Sequence, residues 1–79
     1  MKAKIYITLK QGVLDPQGKA VGQALENLGF KNVSGVRVGK YLELQLQSET
    51  KTKAKEEVKS MCEKVLANTV IESYNFEIE

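Results

Sequence analysis

The side chains best equipped for chemistry in this sequence are few, and their neighbours leave them idle. Acyl transfer of the serine or cysteine type needs a nucleophile beside a base, commonly histidine. The sequence holds one cysteine and no histidine. Cys62 falls mid-helix on an apolar stripe, where a free thiol behaves as a small hydrophobe. One thiol without imidazole cannot complete the usual zinc shell. Glu56 and Glu57 are adjacent on a helix and diverge, while Glu77 and Glu79 share a strand face near the chain end; both pairs read as solvated charge. The nearest thing to a phosphate loop is VLDPQGK, where a helix opens beside Lys19. A helix N-terminus can hold an anion, but Asp15 already occupies that end as a cap. No catalytic, cofactor-binding or metal-ligating residue is expected, and no cofactor is expected in this chain.

The remaining chemical feature is aromatic. Ile5-Tyr6-Ile7 on a first strand, with Tyr41 on a later one, is the arrangement an RNA-recognition sheet uses for base stacking. Glu43 would then lie beside the bases, and GKYLELQL lacks the basic, multi-aromatic character of such a strand. The net charge of +2, from 12 basic and 10 acidic residues, gives no electrostatic reason for a nucleic-acid or membrane partner. No apolar run approaches the roughly 18 residues of a membrane span, and MKAKIYITLK is unlike a signal peptide. The lone thiol suits a reducing compartment, and the expected location is cytoplasmic.

The elements that position these residues follow from periodicity. Ala3, Ile5, Ile7 and Leu9 alternate with Lys2, Lys4, Tyr6, Thr8 and Lys10, which marks a half-buried strand. Asp15 as N-cap and Pro16 at the first helical position open a helix. Val21, Ala24, Leu25 and Leu28 give it one apolar face, and Gly29 ends it. VSGVRVGKYLELQLQ reads as two strands turning at Gly39-Lys40. A two-residue turn would set Leu42, Leu44 and Leu46 on the face of Arg37 rather than that of Val36 and Val38, so a three-residue loop or a bulge is expected. Ala54, Val58, Met61, Cys62 and Val65 mark the buried stripe of a second helix, and Tyr74, Phe76 and Ile78 alternate in a last strand.

The order βαββαβ predicts an α+β two-layer sandwich over residues 1–79, with a four-stranded antiparallel sheet and both helices on one face, the ferredoxin-like arrangement. A domain of this length buries only about 60% of its unfolded surface. Its sheet would leave one face open, carrying Tyr6, Thr8, Arg37, Tyr41 and Glu43, along with two strand edges that invite pairing. Such a chain reads as a subunit.

Three segments carry a resemblance: VLDPQGKAVGQAL, VRVGKYLEL and MCEKVLANTVIESYNFEIE, in this order and spacing. Together they resemble the PurS subunits of phosphoribosylformylglycinamidine synthase across essentially the whole chain. The departures are Gln11-Gly12, the SETKTKAKEE stretch, and an end at Glu79 without the C-terminal extension some members carry. The resemblance implies a non-catalytic subunit, a homodimer with a tetramer left open, bridging a large PurL-type synthetase subunit and a PurQ-type glutaminase. In such an enzyme the large subunit uses ATP and Mg to activate formylglycinamide ribonucleotide, and ammonia released from glutamine displaces the activated oxygen. Candidate partner-facing residues are Asp15, Gln17 and Gly18 at the first helix start, with Arg37, Lys40 and Tyr41 around the hairpin, since Arg and Tyr are enriched at interfaces. The competing reading is a stand-alone metabolite-binding regulatory domain of ferredoxin-like fold.

Overall fold

A computed structural model describes residues 1–79. Its elements are strand β1 (Lys2–Leu9), helix α1 (Pro16–Asn27), strand β2 (Gly39–Gln45), helix α2 (Lys51–Met61) and strand β3 (Glu72–Ile78). The strands form one antiparallel sheet in the order β2-β1-β3. β1 takes the centre because its alternation gives a short apolar set that both neighbours can flank. Ile5 lies between Leu42 and Phe76, and Ala3 between Leu44 and Ile78.

α2 covers this inner face. Thr50 caps its start, accepting the Lys53 N–H at 3.1 Å, and Ala54, Val58 and Cys62 recur at four-residue steps as its fully buried row. The helix then widens into one π-helical turn over Cys62–Leu66, closed by the Ala67 N–H donating to the Cys62 carbonyl at 3.0 Å. The wide turn adds one residue to the helical repeat. It therefore swings Val65 out to 80% exposure and brings Ala67 into the core, which corrects the expectation that Val65 is buried.

The sheet has three strands rather than the expected four. No hairpin forms at Gly39-Lys40; both residues lie inside β2, and residues 33–38 run into it as an irregular lead. The parity problem disappears because the chain does not turn back. Val36, Val38, Leu42, Leu44 and Leu46 share even numbers, and all five are half-buried.

The second correction concerns α1. It is well formed at both ends: Asp15 caps it, and the Gly29 N–H donates to the Glu26 carbonyl while the Phe30 N–H donates to that of Leu25, both at 3.0 Å. This is a Schellman closure, with Gly29 supplying the left-handed residue at φ +97°. Yet α1 does not lie on the sheet, whose only helical cover is α2. It packs instead on its own return segment, where Gly22 faces the Val36 side chain. α1 and residues 30–38 thus form an arm projecting from the sheet. The molecule measures 50 × 24 × 14 Å with a radius of gyration of 15.9 Å, against about 12 Å for a compact chain of this length.

Only 9 of 79 residues are buried, so each core side chain carries a large share of the stability. Ile5→Ala is expected to lower unfolding free energy by about 2–5 kcal/mol, read as a shift in urea midpoint at unchanged slope.

Candidate functional site

Two surfaces collect the candidate residues, and they lie on opposite sides of β2. The first is a cleft of about 370 Å³ at the root of the arm. Its floor is Ile7, Leu9 and Val38; Asp15, Gln17, Lys40 and Glu72 stand around it. The second is the outer sheet face.

Asp15 organises the cleft. Its Oδ1 accepts the Gly18 N–H at 2.8 Å, capping α1, and its Oδ2 accepts the Val38 N–H at 2.9 Å. One carboxylate therefore ties the helix start to the strand that carries the chain back into the sheet. The hydrogen bonds from Val38 and Gly18, together with the nearby Arg37 charge, hold its carboxyl below the usual range. Gly18 is the one buried residue of α1. A Cβ there would stand 2.5 Å from the Val36 carbonyl oxygen and 2.8 Å from the Asp15 carboxylate, so only glycine permits this close approach. Across the cleft, Lys40 Nζ stands 3.7 Å from Glu72 Oε2, and Glu72 Oε1 accepts the Asn68 N–H at 2.7 Å.

On the outer face, Lys2 pairs with Glu43 at 2.8 Å and Lys4 with Glu79. These contacts raise the lysine pKa values and lower those of the two glutamates. Between them and the arm, Tyr6 and Tyr41 lean together with centroids 5.2 Å apart and planes at 36°. The rings thus partly cover one another. Partial desolvation, with Glu43 nearby, pushes the Tyr41 hydroxyl up.

Of the six candidates, the cleft brings together Asp15, Gln17 and Lys40, with Gly18 packed behind them. Arg37 and Tyr41 are exposed and share the odd parity of the outer face. Sequence reasoning missed Glu72, which meets Lys40 only through the β3–β1–β2 register. It also placed Leu28 on a covered stripe, whereas Leu28 is 75% and Phe30 59% exposed at the arm tip.

None of this is catalytic geometry. Cys62 is fully buried, and burial pushes its thiol up. No three Cys, Asp or Glu side chains converge as a metal-ligating set, and no helix is long and apolar enough to cross a membrane. What the surfaces can do is bind.

Comparison with known proteins gives the same direction. The family model described as PurS, phosphoribosylformylglycinamidine (FGAM) synthase, matches residues 2–79. The phosphoribosylformylglycinamidine synthase subunit PurS of Synechocystis sp. is 51% identical over 95% of this chain and 75% of its own length. The crystal structure of Bacillus subtilis PurS superposes with a TM-score of 0.85 at 50% identity, covering 99% of this chain and 96% of that one. A chain of PurLQS from Thermotoga maritima gives 0.88 at 34% identity, covering 96% and 93%.

The Asp15 clamp sets a pH dependence. A carboxyl whose folded pKa is depressed contributes stability above its unfolded pKa, and that stability is lost as pH falls through the folded value. Wild type is thus expected to be more stable than Asp15→Asn near neutrality, with the gap closing below about pH 4, as thermal melts across pH 2–7 would record.

Proposed function

The chain belongs to the PurS family of phosphoribosylformylglycinamidine synthase subunits, and on that premise we propose that it works as a homodimeric bridge between two larger subunits of that enzyme. The partners are a large PurL-type synthetase subunit, which uses ATP and magnesium, and a PurQ-type glutaminase that releases ammonia from glutamine. The chain itself contributes surface rather than chemistry. Ammonia is protonated in bulk water near neutral pH, so a dry path between the two sites preserves its nucleophilic form. Operation in the cytoplasm keeps Cys62 reduced.

One observation carries the reading: the arm has nothing in its own chain to cover it. Val21, Leu28, Phe30 and Val33 are exposed along it, while Leu42, Leu44 and Leu46 on β2 are only half-buried. In an isologous pair the arm of each copy lies over the leucine face of the other, so every contact counts twice. Stable interfaces bury about 1,200–2,000 Å² in total, and a symmetric exchange of two arms is an economical way to reach it. The relationship to a chain of PurLQS supports the larger assembly.

Reconstitution tests both halves. The isolated chain is expected to run as a dimer without turnover. Leu28→Glu with Phe30→Ser is expected to weaken the dimer at least tenfold, about 1.4 kcal/mol. Mixed with the two larger subunits, wild type is expected to restore glutamine-driven synthesis, while omitting it leaves ammonia-driven synthesis largely intact. A monomer that both subunits ignore would end the proposal.

A further inference from the structure

The outer sheet face stays bare whichever copy the arm covers, because it lies on the far side of β2 from the leucines. It is prepared for contact in a specific way. Tyr6 and Tyr41, 41% and 50% exposed, sit side by side on paired strands as a small aromatic ridge. Thr8, Gly39 and Ser73 form the next row toward the arm, so nothing tall stands between the ridge and that edge.

The charges are arranged unevenly around the ridge. On the side away from the arm, Lys2 and Lys4 are tied to Glu43 and Glu79; desolvating a cation already paired with its anion costs less than desolvating it alone. On the arm side stands Arg37, exposed in the irregular lead into β2 and odd-numbered like Tyr41. Its guanidinium makes no ion pair or hydrogen bond, and the nearby Asp15 carboxylate is occupied by two backbone N–H groups. Tyr and Arg are among the side chains enriched at the hot spots of protein interfaces.

We infer that this face docks a protein surface that is apolar at its centre and supplies a carboxylate at the edge meeting Arg37. Charge complementarity selects that chemistry: Lys2 and Lys4 are already neutralised within the face, whereas Lys10 and Arg37, on its arm side, have no anion of this chain beside them. The inference rests on the bridging reading, since one of the two larger subunits would present the matching surface.

The test uses the full chain with both larger subunits, measuring capture by sizing and glutamine-driven synthesis. Threonine keeps strand preference while removing the ring, so Tyr6→Thr with Tyr41→Thr leaves the core and arm intact. The double variant alone is expected to run as wild type does, yet to bind the larger subunits at least tenfold more weakly. Arg37→Ala is expected to weaken capture several-fold and flatten its salt dependence, and Arg37→Glu to weaken it further. Unaltered capture by the tyrosine variant overturns the docking site. Equal losses for Arg37→Ala and Arg37→Glu overturn the opposing carboxylate. A change in the tyrosine variant's own size assigns the face to pairing between copies and likewise overturns the inference. Failure of wild type to be captured removes the bridging reading itself, so the two failures are told apart.

Discussion

The structure depends on a mismatch between how much apolar surface the chain carries and how much its own elements can cover. One strand, β1, is hydrogen-bonded on both sides, and one helix, α2, lies across the result. That arrangement seals eight apolar side chains. The apolar residues of α1 and its return segment are beyond its reach. Burial contributes about 25 cal/mol per Å², so leaving these side chains in water forgoes stabilisation that a chain of this length can hardly spare. The physical logic of an obligate subunit is already present in that imbalance.

Much of this was legible in the residues because the signals were local. The alternation of β1 and β3, the Asp15-Pro16 opening and the Gly29 closure of α1 depend on neighbours within a few positions, and each stands as read. The hairpin was not local. Gly39-Lys40 resembles a turn, and a fourth strand would have completed a familiar sheet. The even numbering of Val36, Val38, Leu42, Leu44 and Leu46 was the better signal, since a straight chain keeps even residues on one side without any bulge. The register conflict itself argued against a turn. Val65 failed for a related reason: strict 3.6-residue periodicity has no place for a π-helical turn.

The candidate site was legible in part. Asp15, Gln17 and Lys40 do meet, because the helix start and the strand entry are both fixed by Asp15. Arg37 and Tyr41 separate from Lys40 by parity alone, in keeping with the open face expected to carry Tyr6, Thr8, Arg37, Tyr41 and Glu43. Glu72 required knowing that β3 flanks β1 on the side opposite β2, and no feature near residue 72 announces that. The exposure of Leu28 and Phe30 was hidden for a different reason. Periodicity says which side of a helix is apolar but not whether the same chain will cover it.

The arm also acts as a lever. Twelve residues of helix extend about 18 Å from the root, so a tilt of about 10° there would carry the tip about 3 Å, close to the rise of one strand residue. A swing of that size would shift whatever the tip grips by a full step. At the root the chain places a glycine that admits no side chain and a carboxylate whose two oxygens hold both limbs.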